Sequence, residues 1–218
     1  MGGGEIPMYG QSQYIETEKS ILRRKINMKS VFRVKLKNFI QKSKIWLEPM
    51  SKEFNEREFA RGKTKPVERI DYKISRGKIF TDVLGDTWSS PIFHKNVIGI
   101  LSEHVITGLE YYPIRIRLTK IGNNYNDEYY LVRSSNQCGE IDTSSSEIIP
   151  SSVNPEFKDY KGYKLDTSKL DSNIGFFSPV NSGVLHCSEA VRKIFLDSKE
   201  EITGIKFEDI SDFLLPLD

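Results

Sequence analysis

Cysteine, histidine and long apolar runs are all scarce in this chain, and each scarcity removes a class of function. The two cysteines, Cys138 and Cys187, stand far apart and form no CxxC pair. No zinc or iron–sulfur framework is therefore expected of them, and nothing marks the chain as secreted, so both are expected to stay reduced. The three histidines are His94, His104 and His186. His94 and His104 lie too far apart around one helix to share a metal, and His186-Cys187 offers two ligands without a third. No catalytic, cofactor or metal site is expected. GxSxG, GxxxxGK[ST] and GxGxxG are absent, which leaves no nucleophile elbow, phosphate loop or dinucleotide fingerprint. No run approaches the ~20 apolar residues of a membrane span. The start MGGGEIPMYGQSQY lacks the basic-then-apolar order of a signal peptide, and Ile6 stands where myristoylation requires Ser or Thr. The expectation is a cytoplasmic protein with no membrane partner.

What is present is ordinary globular composition with an uneven charge. Of 218 residues, 38% are apolar and 28% charged, enough to bury a core without disulfides. Residues 1–80 carry nineteen Lys and Arg against nine Asp and Glu, and the remainder reverses the balance, so the net is only +2. Either the two parts neutralise each other, or the basic part faces an acidic partner or nucleic acid. In VFRVKLK (31–37) the period-two alternation predicts a strand with Phe32, Val34 and Leu36 inward and Arg33, Lys35 and Lys37 on a basic outer face. Residues 51–69 read as a short helix or a loop, residues 1–29 as a loose arm, and residues 151–173 as mostly loop.

The most informative pattern is a phrase written twice. PIFHKNVIGILSEHVITGLEYY (91–112) and VLHCSEAVRKIFLDSKEEITGIKF (184–207) share a helical apolar face, then Ile-Thr-Gly, then a strand. Val97, Ile100 and Leu101 match Val191, Ile194 and Phe195 at an offset of 94, while the triads match at 96, so the second connection is two residues longer. The glycines suit corners that require positive φ. Ser188, followed by Glu189, stands where a helix N-cap belongs. LEYYPIRIRL and YYLVRS, joined by TKIGNNYNDE, predict a β-hairpin, and CGEID a further short strand. The predicted fold is α+β: a mainly antiparallel sheet with two principal helices, each leading through an Ile-Thr-Gly corner into a strand.

Other chemistry-bearing residues are not singled out by spacing. Asp82, Asp86, Asp142, Asp166 and Asp171 form no distinguishable acid–base pair. Tyr111, Tyr112, Tyr125, Tyr129 and Tyr130 fit cross-strand packing on the hairpin or a Tyr-rich contact surface.

DVLGDTWSSPIFHKNVIGILSEHVITGLEYYPIRI, EYYLVRSSNQCGEID and LHCSEAVRKIFLDSKEEITGIKF together resemble a family of small bacterial immunity proteins of polymorphic toxin systems. This is the family named after a myxobacterial member and long described as a domain of unknown function. Ser188 keeps the family's serine at the start of the second helix; in the first copy His94 or Ser90 stands near that place. The resemblance covers residues 72–218, two thirds of the chain. With the basic part 30–70 it makes one expected domain, 30–218. It implies a non-enzymatic binder that neutralises a cognate toxin encoded next to it, with no cofactor. It does not name the partner-binding residues or the oligomeric state. The alternative expectation is a nucleic-acid-binding module using the basic residues 19–44.

Overall fold

A computed structural model describes residues 31–36, 45–66, 69–86, 90–119, 124–150, 158–171, 174–180, 182–198, 201–212 and 214–216. The arm 1–29 lies outside the described residues. In chain order come β1 (Val31–Leu36), β2 (Trp46–Pro49), α1 (Glu56–Ala60), β3 (Ile70–Arg76), β4 (Val83–Asp86), β5 (Pro91–His94) and α2 (Lys95–Glu103). Then follow β6 (Leu109–Arg117), β7 (Tyr125–Asn126), β8 (Tyr129–Ser134), β9 (Gln137–Cys138), β10 (Ile141–Asp142), β11 (Glu147–Pro150), β12 (Lys158–Lys161) and β13 (Lys164–Leu165). The last elements are β14 (Phe176–Pro179), β15 (His186–Ser188), α3 (Glu189–Asp197), β16 (Ile205–Asp209) and β17 (Leu214–Pro216). The fold is α+β with mostly antiparallel pairing. The hairpin expected of 109–134 forms as β6 and β8, with Tyr111 opposite Val132. The stretch 151–173, expected to be mostly loop, carries β12 and β13, whose Lys-rich sequences lack the apolar alternation that marks a strand.

Six strands close into a barrel in the order β3-β2-β4-β5-β8-β6, and β6 returns to β3 in parallel register, Ile70 opposite Ile114. Its interior is apolar: Leu47, Tyr72, Leu84, Ile92, Ile114 and Leu131 are all fully buried. A second sheet runs β16-β1-β15-β14-β9. Small sheets β10-β13 and β11-β12-β17 lie outside these two.

The second sheet repeats the barrel's pairing register. In the barrel, β8 lies between β5 and β6, with Phe93 opposite Tyr130 and Tyr111 opposite Val132. In the second sheet β1 lies between β15 and β16, with Cys187 opposite Phe32 and Phe207 opposite Val34. Each pair maps onto the other at constant offsets: 94 (Phe93 to Cys187), 96 (Tyr111 to Phe207) and 98 (Phe32 to Tyr130). The parallel pairs extend the match, since Leu47 lies opposite Asp86 as Cys138 lies opposite Pro179. The N-terminal strand thus completes the second half of the molecule, filling the place that β8 holds in the first.

The two Ile-Thr-Gly corners dock reciprocally. The Thr107 carbonyl accepts hydrogen bonds from the Gly175 and Phe176 amides, at the head of β14. The Thr203 carbonyl accepts from the Val83 amide, at the head of β4. Gly108 (φ +103°) and Gly204 (φ +90°) have the expected positive φ. A Cβ on either would lie about 2 Å from the carbonyl oxygen of Phe176 or Val83, so only glycine admits this approach. Asp82 reinforces the second corner by accepting hydrogen bonds from the Thr203 amide (2.8 Å) and hydroxyl (2.6 Å). Val83, Phe93, Val97 and Leu101 from one half meet Phe176, Cys187, Val191 and Phe195 from the other in one shared core.

The corners differ in how the helix ends. After α2 the Ile106 amide bonds the Leu101 carbonyl and the Val105 amide bonds the Ser102 carbonyl, a Schellman closure with Val105 at φ +54°. After α3 the chain leaves Ser198 in extended conformation (φ −57°, ψ 134°), and the connection is two residues longer.

Candidate functional site

Two features stand out once the halves are superimposed by register: a polar patch where the barrel is apolar, and a groove between the two equivalent helices. In β1 the outer-face expectation fails at Arg33; the side chains of Lys35 and Lys37 lie outside the described residues. Arg33 lies opposite His186 on one side and Glu208 on the other, so the three share one face of the sheet. That face corresponds to the barrel interior, where the same positions hold Leu131, Ile92 and Tyr112. Arg33 is half-buried, not fully solvated as a basic outer face requires. Burial lowers its pKa, opposed by the nearby Tyr163 and Glu208.

His186 is fully buried. Its Nδ1 lies 3.0 Å from the Val184 carbonyl, which can only accept, so Nδ1 carries the proton. Its Nε2, 2.5 Å from the Tyr163 hydroxyl, is then the acceptor. Phe177 stacks on the ring at a centroid distance of 6.0 Å. Burial pushes the imidazole pKa down to about 3; the Val184 hydrogen bond opposes this and Arg33 adds to it. Burial raises Tyr163 and pushes the neighbouring Cys138 thiol up to about 11. Sequence reasoning noticed His186 but not Arg33 or Tyr163 as its neighbours, because nothing local links residues 33, 163 and 186.

The other candidates fall apart in space or into the fold. His94 and His104 are the N-cap and C-cap of α2, and His94 Nδ1 accepts from the Asn96 amide. Ser188 occupies the N-cap position of α3, yet its buried hydroxyl makes no capping hydrogen bond among the described residues. Asp142 and Asp166 accept the amides of Ser144 and Ser168 in local turns, and both carboxyls are held below the usual range chiefly by those serine hydrogen bonds. The side chain of Asp86 lies outside the described residues, and Asp171 is exposed.

The hairpin tyrosines are used in packing and hydrogen bonding. Buried Tyr129 donates to the Thr81 carbonyl, and Tyr125 lies under Arg115 and Arg117. Tyr112 donates to Glu110, and burial, with that bond, pushes its pKa up to about 12. Tyr111 packs on the shared core, and Tyr130 is half-buried opposite Phe93 and Pro113. Among the described residues no three of His, Cys, Asp and Glu converge as a metal site would require.

The second feature is a groove of about 840 Å³ between α2 and α3. Gly99, Ile100 and Glu103 line one wall and Lys193, Ile194 and Asp197 the other. These residues match one for one at the offset of 94, so the helices turn equivalent faces to the groove. Ile100 and Ile194, read from periodicity as core, are only half-buried here, while Val97, Leu101, Val191 and Phe195 hold the core. No helix among the described residues is long and apolar enough to cross a membrane. No family model matches the chain, and no curated protein matches it.

Proposed function

We propose that this chain is a non-enzymatic immunity protein, a binder that neutralises a cognate bacterial toxin protein by one-to-one association. The observation that carries the reading is how the family-like segments are used. Two of the three stretches that resemble the immunity family form equivalent strand–helix–corner–strand units, and their helices flank one open groove. Such a scaffold presents a shaped surface on rigid elements, which tight one-to-one recognition requires.

The polar patch supports the same reading. A general acid or base needs a pKa near the working pH and access to a substrate. His186, at about 3 and fully buried, is suited to holding the second half in register. The nucleic-acid alternative uses residues 19–44, of which 31–36 are described, and half-buried Arg33 there lends it no support. We place the binder in the cytoplasm, where its two buried, unpaired cysteines stay reduced.

The test is a titration of the full chain with a catalytically inactive form of the protein encoded immediately upstream. Nanomolar one-to-one binding, with growth rescue against the active form, is expected. No binding at micromolar concentration would remove that pairing, and salt-dependent nucleic-acid binding would then be measured.

A further inference from the structure

We propose that the groove between α2 and α3 is the docking surface for a basic segment of a partner protein, a Lys- or Arg-bearing stretch flanked by apolar residues; this rests on the binder reading above. The first observation is Gly99. It sits in the interior of α2, where glycine is the least favourable residue after proline. Glycine earns such a place through positive φ or close approach of another group. Gly99 has neither: a Cβ added there would meet nothing within 4 Å among the described residues. Its equivalent in α3 is Lys193, so the repeated unit does not demand glycine. The open space lies in the groove, and an incoming group would need it.

Charge indicates what comes in. Glu103 and Asp197 are the last residues of their helices, and neither helix has a basic residue in its last turn. Both carboxylates thus sit at the negative pole of a helix dipole, where the chain's own electrostatics disfavour them and a cation would be stabilised. Of the cations lining the groove, Lys95 is held 2.5 Å from Glu128, and Lys193 is opposed by two acids and two helix C-termini. Between these charges Ile100 and Ile194 offer apolar contact. Beside His104, which also lines the groove, Val105 is 71% exposed at φ +54°. A β-branched residue is strained there, so the strain at the end of α2 adjoins two groove features, Gly99 and the carboxylates at the helix ends, that cost the free chain stability.

The test uses the full chain, titrated against the same inactive upstream-encoded protein, with variants Gly99→Arg and Glu103→Lys/Asp197→Lys. Glu147→Lys on β11 serves as a distant charge control. Gly99→Ala checks the helix itself and is expected to raise Tm by about 2–4 °C. Both groove variants are expected to weaken binding at least ~30-fold, with the control within about threefold. Wild-type binding that both groove variants retain would overturn the groove proposal and leave the binder reading standing. No binding by the wild-type chain would overturn both.

Discussion

Acid should loosen the second half of the molecule before most carboxylates titrate, and His186 sets the magnitude. Unfolded, its imidazole has a pKa of ~6.5; folded, burial first and Arg33 further lower it to about 3. Between these values the unfolded chain binds a proton that the native chain refuses. Stability therefore rises with pH through this window, is complete above ~6.5 and is lost as pH falls toward 3. The slope is about 1.4 kcal/mol per pH unit, so going from pH 7 to pH 5 costs about 2 kcal/mol from this group alone. Solvent screening does not discount the figure, because the ring is fully buried. The assay is urea unfolding followed by circular dichroism at pH 5, 6 and 7. The comparison is His186→Ile/Tyr163→Phe, which places the residue of the equivalent barrel position, Ile92, on β15 and removes the hydroxyl that would lose its acceptor. The variant should lose less than about 0.5 kcal/mol over the same range. Equal slopes for the two proteins would refute the reasoning, and with it the buried neutral imidazole.

Two further outcomes are expected at the corners. Val105→Gly should stabilise the chain by about 1 kcal/mol, since relief of left-handed strain at an exposed β-branched residue exceeds glycine's entropic disadvantage; the urea midpoint measures it. Gly108→Ala and Gly204→Ala should each cost at least about 3 kcal/mol, combining positive-φ strain with a Cβ driven against a carbonyl oxygen of the opposite half. Similar losses from the two substitutions would match the reciprocal docking; tolerance of either would contradict it.

Much of the fold was legible locally. The helices at 95 and 189, the Ile-Thr-Gly corners with their positive-φ glycines and the 109–134 hairpin all follow from period, cap and turn chemistry. The long-range arrangement was not. VFRVKL and YYLVRS share almost no residues, yet β1 and β8 fill the same place, because pairing register is set by tertiary partners that local alternation does not name. The alternation in β1 tells two faces apart but not which one solvent sees, so by itself it predicts Arg33 outward. The same limit hid the site. Periodicity gave Ile100 and Ile194 to the core, and only the packed helices show them flanking a groove. The polar patch was masked further, since His186, Arg33 and Glu208 replace apolar equivalents and so disguise the repeat that would have exposed them.

The central claim is that the paired helices form a partner-binding face, and hydrogen–deuterium exchange of the full chain tests it most directly. Exchange is compared with and without the inactive upstream-encoded protein at saturating concentration. The account predicts new protection over residues 95–105 and 189–198, with the barrel strands β2 and β3 unchanged. Protection confined to other surfaces, or none at all, would contradict it.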